Sequence, residues 1–328
     1  EDLDFPDLNN PTDDTATLQS LITGAEAQLR SGFDVYIRDL LVIGREAYYL
    51  EPADPRYTGE LLRGPIDPGG FLCYTPWAAN YKVISNCQTI LNSADADAGA
   101  KGFAQTVNAY CLMRVLNLTD TNGARLNYDG DITAAVATKA EVLTEIESLL
   151  DAGLDNLSSA GSAFSFTLSS GFDGFNTPST FVHFNRGLRA RVAVHQDDFS
   201  TAQTALTACS DWMNSADGDV GVYHVFSSGA NDGDNQMYED PNAATLKLMV
   251  HPTFLTDADS GDARFTNNVL VREETVTYDG LVSNLAPTLY YGSYDPVPMM
   301  RAEELQLLQA EVHIGNGNYS GAETIMNT

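Results

Sequence analysis

The chain has 328 residues, of which 43% are hydrophobic and 19% charged, so its composition is that of an ordinary globular protein and not of a disordered one. Its 45 acidic and 17 basic residues give a formal net charge of −28, which repels phosphate backbones and anionic lipid surfaces and comes close to excluding nucleic acid as a partner. No apolar stretch approaches the roughly 20 residues of a membrane-spanning helix. This acidic excess is typical of proteins that work in concentrated salt, with a merely solubilising acidic surface as the alternative.

The first part of the chain predicts helices. After an Asn-Asn-Pro-Thr start signal, apolar residues repeat at helical spacing at Leu18, Leu21, Ile22, Ala25 and Leu29. A second helix is expected over residues 34–50, and residues 51–70 are so rich in proline and glycine that they predict a loop. Helical spacing returns from about Pro76, where one stripe contains Trp77, Tyr81, Ile84, Gln88 and Leu91.

The rest of the chain alternates helices with irregular segments. In chain order we predict helices over 103–118 and 141–157, an extended or hairpin segment over 164–175, a helix pair over 184–212, loops and short strands over 216–295, and a final helix beginning at Pro298. The predicted fold class is therefore mostly α.

An internal repeat is the strongest structural signal. Ala190 is followed at offsets of nine, twelve and sixteen residues by Phe199, Ala202 and Leu206, and Ala310 is followed at the same offsets by Tyr319, Ala322 and Met326. Small residues let two helices approach closely, and the aromatic residue fills the wedge at their turn. The spacing predicts tetratricopeptide-like helix pairs in a solenoid-like scaffold with long loops and a few short strands. Because the second pair reaches Thr328, we expect the natural chain to be longer.

The sequence contains none of the common catalytic or metal-binding motifs that we sought. The four cysteines form no metal signature, and a Cys73–Cys87 disulfide is neither required nor excluded by the sequence. Nucleophile-elbow, P-loop, zinc-protease and dinucleotide motifs are absent, and the five histidines are scattered, so we predict a binder and not an enzyme. A glycosidase with paired carboxylates remains an alternative that motifs do not exclude. No cofactor is predicted, and the acidic segments 120–131 and 231–240 offer at most a weak calcium site.

Five segments of the chain carry a resemblance to a known family. They are DLNNPT near the start, WAANYKVISN from Trp77, KGFAQTVNAYCLMRVLNLTD from Lys101, FNRGLRARVAVHQDDFSTA, and VPMMRAEELQLLQAEVHIGNGNYSGA, the most specific of them. Together they resemble the SusD/RagB family of outer-membrane nutrient-binding lipoproteins of Bacteroidetes. The resemblance covers nearly the whole chain. It departs from the family pattern in lacking the lipidated N-terminal cysteine, which we expect just before Glu1 or trimmed away, and the segment that normally follows Thr328.

The resemblance implies one domain over residues 1–328, with loops at about 51–75 and 216–295 making a ligand face. It also implies a lipid anchor on the extracellular face of the outer membrane and a SusC-type TonB-dependent transporter as partner. The ligand would be an oligosaccharide, although some relatives handle peptides or other nutrients.

Two aromatic groups are candidates for the ligand site, because sugars stack on aromatic faces and bond to nearby amides and carboxylates. The first contains Phe71, Tyr74, Trp77 and Asn80, and the second contains Tyr290, Tyr291 and Tyr294. The alternative is that Trp77 is a core residue of its helix and that the tyrosines pack at a helix entry. The polar residues Asp232, Asp234, Asn235 and Tyr238 predict plain solvated surface.

Two functions from different classes follow from these observations. The first is a cell-surface component that captures oligosaccharide for an importer. The second is an assembly protein whose helical repeat binds another polypeptide, which predicts stable co-purification without any response to sugar.

Overall fold

A computed structural model of the chain describes residues 15–128, 130–131, 133–229 and 232–327. The DLNNPT segment and its start signal therefore lie outside the described residues. So do Asp129 and Asn231, which belong to the two segments considered for calcium.

Helices dominate the described chain, which confirms the predicted fold class. They are α1 (Thr15–Gln28), α2 (Phe33–Ile43), α3 (Arg56–Arg63), α4 (Phe71–Asn92), α5 (Ala98–Thr119), α6 (Lys139–Ser159), α7 (Pro178–His195), α8 (Phe199–Ala208), α9 (Ser210–Met213), α10 (Thr253–Asp257), α11 (Ala263–Asn268), α12 (Ala302–Gly315) and α13 (Tyr319–Met326). The strands are β1 (Ala47–Tyr49), β2 (Gly221–His224), β3 (Leu248–Val250), β4 (Val269–Tyr278), β5 (Leu281–Pro287) and β6 (Val297–Arg301), paired as β1 with β3, β2 with β6 and β4 with β5.

The chain forms two compact units. The helical unit comprises Glu1–Leu29, Ala79–His224 and Pro298–Thr328, and the mixed unit comprises Arg30–Ala78 and Val225–Val297. The division falls within α4. The prediction of a single domain over residues 1–328 stays a prediction.

Successive helices pack on each other in the helical unit: α5 on α6, α6 on α7, and α7 on α8, while α12 contacts α7, α8 and α13. Helix α6 begins at a capping box, in which the Glu141 carboxylate accepts the Thr138 N–H at 2.8 Å and the Thr138 hydroxyl accepts the Glu141 N–H at 3.4 Å. Helices α5 and α6 approach closely at Gly102, where a Cβ would lie 2.6 Å from the Leu157 side chain.

The repeated pairs are α7–α8 and α12–α13, as the shared spacing predicts. Ala190 and Ala202 are buried in the first pair, and Ala310 and Ala322 in the second. The corner aromatic residues differ in their surroundings. The Phe199 ring packs against Gly315 so closely that a Cβ there would lie 2.3 Å from it, whereas the Tyr319 side chain is 70% exposed.

Residues 164–175 form no strand in the structure, contrary to the prediction. The segment is irregular apart from a short 3₁₀ turn, and it inserts phenylalanines between helices. Phe181 of α7 lies 5.6–5.9 Å, between ring centroids, from four other phenylalanine rings. We call this group the phenylalanine cluster, and its members are Phe103, Phe164, Phe166, Phe172, Phe181 and Phe184. The conformation of residues 164–175 is held by the burial of these rings and not by backbone pairing.

The mixed unit contains α2, α3, the start of α4, β1, β3, α10, α11, β4 and β5. Strands β1 and β3 are antiparallel, with Ala47 opposite Val250. Strands β4 and β5 form a hairpin that turns at Asp279 and Gly280, whose φ values of 53° and 78° are those of a type I′ turn. Between these elements lies a core made of Val42, Ala47, Tyr49, Tyr57, Leu61, Leu72, Met237 and Leu248.

Two predictions for residues 34–70 are wrong. The helix predicted over 34–50 ends at Ile43, because Arg45 adopts a left-handed backbone conformation (φ 63°), and the Tyr-rich segment after it forms β1. The loop predicted over 51–70 contains α3. There Pro55 precedes the first turn, where a missing N–H costs nothing, and Tyr57 and Leu61 are buried one turn apart.

Helix starts at two prolines were also predicted incorrectly. Helix α4 begins at Phe71, before Pro76, with the Tyr74 N–H donating to the Gly70 carbonyl at 2.9 Å. Its fully buried positions include Val83, Ile84, Cys87 and Ile90, so the predicted stripe through Gln88 and Leu91 is offset. Pro298 lies in β6, exposed between two buried neighbours, and α12 begins four residues later.

Candidate functional site

A loop between β5 and β6 carries the three tyrosines that the sequence singled out. Tyr291 is 84% exposed and Tyr294 is also exposed, so both rings are presented to solvent. Tyr290 is half-buried and packs against the core of the mixed unit. We call residues 290–295 the tyrosine loop. It has two rings turned outward and one that anchors it.

Hydrogen bonds within the tyrosine loop fix its conformation. The Asp295 carboxylate accepts the N–H of Tyr291 at 2.5 Å and the N–H of Gly292 at 3.1 Å. A carboxylate that closes a turn in this way holds the backbone without help from regular structure. The rings of Tyr291 and Tyr294 are thus displayed on a backbone that is already ordered.

Asn235 attaches the tyrosine loop to the preceding segment of the mixed unit. Its N–H donates to the Ser293 carbonyl at 2.6 Å, its side-chain amide donates to the Asp295 carbonyl at 3.0 Å, and its amide oxygen accepts the Met237 N–H at 2.9 Å. The residue is only 2% exposed, so the prediction of solvated surface was wrong for Asn235. Every polar group of its side chain has a partner, as a buried amide requires. Polar composition alone gave no signal for this role.

The other polar residues of that segment have distinct roles. Asp232 forms an ion pair with Arg30 and accepts a hydrogen bond from the Ser227 hydroxyl at 2.7 Å. Tyr238 is half-buried and lines a cavity described below, so it too departs from the predicted solvated surface. Asp234 is exposed, as predicted.

The α4 candidates are distributed along two turns of one helix. Tyr74 is 59% exposed, Trp77 is half-buried and Asn80 is 2% exposed. Phe71, at the start of α4, packs against the same core as Tyr290. The structure therefore brings Phe71 and Tyr290 to one hydrophobic core, whereas Asn80 is buried in the helical unit.

The ring of Phe71 is covered by a cation. The Arg56 guanidinium lies 4.3 Å from its centroid and is held by two hydrogen bonds to Asp54, at 2.9 and 2.7 Å. These hydrogen bonds keep the pKa of Asp54 below its usual value. Phe71 and its neighbours border an open cleft of about 390 Å³, and one face of the Phe71 ring is occupied by Arg56.

A larger cavity of about 520 Å³ lies in the mixed unit, next to strands β1 and β3. We call it the β1–β3 cavity. Its wall includes Ala47, Leu248, Val250 and Met237, and Tyr290 of the tyrosine loop also lines it. The volume is within the range of small-molecule sites. No sequence pattern predicts this cavity, because its lining comes from segments about 200 residues apart.

A buried acidic residue lies in α2 of the mixed unit. Asp39 is 3% exposed, and one of its carboxylate oxygens has no hydrogen-bond partner among the described residues. Burial raises the pKa of Asp39 to about 8, with Arg38 opposing the shift and Asp34 adding to it. The adjacent Arg38 guanidinium lies 4.2 Å from the ring centroid of Tyr49 and donates to the Tyr57 hydroxyl at 3.3 Å.

The thiols and acids do not assemble into a metal centre in the described part of the chain, where no group of three or more Asp, Glu, His or Cys side chains is arranged to hold an ion. All four cysteines are free thiols, and none forms a disulfide. Cys73 and Cys87 lie fourteen residues apart on the same helix, a separation of roughly 21 Å that no disulfide can bridge. Burial raises the pKa of Cys111 and of Cys209 to about 12, so these thiols stay protonated.

Within residues 15–327 as described, none of the helices has both the length and the apolar character needed to cross a bilayer.

Comparisons with known proteins identify the fold. No protein-family model matches the chain, and no curated protein matches it. Among solved structures, it is similar to a SusD/RagB family protein from Bacteroides thetaiotaomicron, with 16% identity, a TM-score of 0.64, and coverage of 93% of this chain and 69% of that one. A SusD-like carbohydrate binding protein from Bacteroides vulgatus has 13% identity and a TM-score of 0.62, with coverage of 96% and 74%.

A laminarin binding SusD-like protein is similar to the same extent, with 13% identity, a TM-score of 0.63, and coverage of 96% of this chain and 83% of that one. Two of these three names describe binding proteins, and all three neighbours share the fold over 93–96% of this chain. The fold of the chain is that of the SusD/RagB proteins, as the resemblance of its sequence motifs predicts.

Proposed function

We propose that this chain is a SusD/RagB family member that binds oligosaccharide at the cell surface and delivers it to a SusC-type TonB-dependent transporter. The observation that carries the proposal is the tyrosine loop, which presents Tyr291 and Tyr294 to solvent on a backbone fixed by Asn235 and Asp295. The shared fold supports it, since neighbours with this fold are named for binding carbohydrate or laminarin.

The chemistry of exposed tyrosines suits a sugar ligand. A pyranose ring has an apolar face of C–H groups, which packs on an aromatic ring, and hydroxyls at its edge, which a phenol can bond. A backbone held before binding reduces the entropy lost when the ligand docks. Uncharged oligosaccharides also escape the repulsion that a net charge of −28 exerts on sulfated or uronic polymers.

The proposed cellular setting is supported by the shared fold and not by the site. A lipid anchor preceding Glu1 would hold the chain on the extracellular face of the outer membrane, with the transporter as its protein partner. The acidic surface would then face the medium, where concentrated salt screens its self-repulsion.

Tryptophan fluorescence tests this proposal, because the chain has 2 tryptophans with different surroundings. Trp212 is buried and donates its indole N–H to the Val220 carbonyl at 2.8 Å, so it reports on the core. The Trp212→Phe protein leaves Trp77 as the reporter in α4. It would be titrated in molar salt with laminari- and malto-oligosaccharides and with short peptides, after circular dichroism has shown it folded.

We expect saturable quenching or enhancement with at least one oligosaccharide. Tyr291→Ala, measured by calorimetry, should weaken this binding at least about tenfold. Tyr319→Ala is the matched control, since it removes a tyrosine that is also largely exposed, at 70%, from the helical unit.

Absence of any heat or fluorescence change with every sugar, on a folded sample, would overturn the proposal. That outcome would favour the assembly function instead. Co-purification of a polypeptide partner would then be the next observation to seek.

A further inference from the structure

The β1–β3 cavity has a charge that the proposed function does not use. Its lining includes one guanidinium, that of Arg264, and four carboxylates, which we call the rim acids: Glu46, Glu239, Asp257 and Asp262. Arg264 is bound to Asp262, with a nitrogen–oxygen distance of 2.7 Å, and its side chain is 87% exposed. The only cation among the described lining residues is thus already neutralised by one of the four acids.

The other three rim acids are in no ion pair within the described part of the chain. Glu239 accepts the backbone N–H of Lys247 at 2.8 Å, but the Lys247 ammonium itself pairs with Glu51. Glu46 and Asp257 are exposed. The lining of the cavity therefore carries a net negative charge, which attracts cations and repels anions.

Aromatic residues line the same cavity. Tyr238, Phe254, Phe265 and Tyr290 contribute to its wall, and Phe254 is itself partly exposed there. The face of an aromatic ring carries negative electrostatic potential, so it attracts an ammonium group that has lost part of its hydration. Aromatic rings and unpaired carboxylates around one apolar space are the combination that recognises organic cations.

We propose that the β1–β3 cavity binds an organic cation, a ligand with an aliphatic body that fills the apolar interior and an ammonium group that lies at the acidic rim. A volume of about 520 Å³ accommodates such a ligand whole. This inference goes beyond the proposed glycan binding, because an alkyl ammonium carries no sugar and the carboxylates involved lie outside the tyrosine loop. Either proposal can therefore fail while the other stands.

Methyl NMR provides a local measurement. The chain has 7 methionines, and Met237 lines the cavity, while Met113 and Met300 are buried in the helical unit. Protein labelled with ¹³C at the methionine methyls would be titrated at neutral pH with hexylamine, n-hexanol and hexanoate. These three probes share a hexyl chain and differ in charge.

We expect hexylamine to shift the Met237 methyl signal saturably, with Met113 and Met300 unchanged. Hexanol should bind at least about fivefold more weakly, the effect of one carboxylate near an ammonium group, and hexanoate should not bind. Molar salt should narrow the difference between hexylamine and hexanol, because it screens the rim carboxylates.

Replacing single glutamates with glutamine distinguishes the effect of the rim acids on binding from the effect of the protein's overall negative charge. Glu239→Gln and Glu46→Gln should each weaken hexylamine binding about threefold to fivefold and leave hexanol binding unchanged. Glu274→Gln is the matched control, since it removes one exposed carboxylate from β4 of the same unit without touching the cavity. All three substitutions keep the side-chain shape and lie outside the buried core.

Equal affinity for hexylamine and hexanol would overturn the charge selection, and so would an equal loss of hexylamine affinity in Glu239→Gln and Glu274→Gln. Failure of all three probes to shift Met237 would show that the cavity is not a ligand site. None of these results bears on oligosaccharide binding at the tyrosine loop.

Discussion

The phenylalanine cluster and the tyrosine loop place the same kind of side chain in opposite roles. Phe103, Phe181 and Phe184 are fully buried and contact other rings, so they hold helices together. Tyr291 and Tyr294 are exposed and contribute little to packing. The comparison shows that a dense aromatic segment is structural where apolar helices surround it, and is available to a ligand where a polar framework holds it at the surface.

The largest effect should come from Phe181→Ala. Because Phe181 contacts four other rings, its truncation leaves a cavity that the surrounding helices cannot close, and we expect the free energy of unfolding to fall by about 3–5 kcal/mol. Urea denaturation followed by circular dichroism measures this. A loss below about 1 kcal/mol would mean that the phenylalanine cluster is not a core.

Asn235→Ala should lower the free energy of unfolding by less than Phe181→Ala does, and it should also affect sugar binding. It removes the side-chain hydrogen bonds to the Asp295 carbonyl and the Met237 N–H, leaving buried backbone groups without partners, at a cost of about 1–3 kcal/mol. It should also weaken sugar binding, because the tyrosine loop loses its attachment. Asn242→Ala, at an exposed asparagine nearby, is the control and should change neither quantity.

Protonation should affect the mixed unit and leave the phenylalanine cluster unchanged. The pKa of Asp39 is about 8 in the folded protein against 3.8 normally, so between these values the folded state holds a proton that the unfolded state has lost. Stability should therefore fall as pH rises from about 4 to about 8. In Asp39→Asn the decline over this range should be shallower, which denaturation at a series of pH values measures. An unchanged slope would contradict this assignment.

The helical unit was predictable from sequence because its signals are local. Helices α5 and α6 carry long apolar repeats, and the paired Ala190 and Ala310 spacings reflect helix packing that recurs. The incorrect predictions lie where tertiary packing overrides the structural preference of the local sequence. Pro298 continues a strand because its exposed position needs no N–H bond, and α3 forms in a proline-rich segment because Tyr57 and Leu61 bury one face.

The candidate site was predictable only in part. Exposed tyrosines in a loop are visible in the sequence, but the buried role of Asn235 is not, because nothing local distinguishes it from its solvated neighbours. The β1–β3 cavity depends on residues from distant segments, such as Ala47 and Tyr290, which only the fold brings together.

The most direct test of the central claim is calorimetric titration of oligosaccharide into two variants whose stability is measured in parallel. Tyr291→Ala should bind at least about tenfold more weakly while its free energy of unfolding stays within about 0.5 kcal/mol of the unsubstituted protein. Phe181→Leu should lose stability and keep its affinity. Unchanged sugar affinity in Tyr291→Ala, or an equal loss of affinity in both variants, would contradict the assignment of ligand binding to the tyrosine loop.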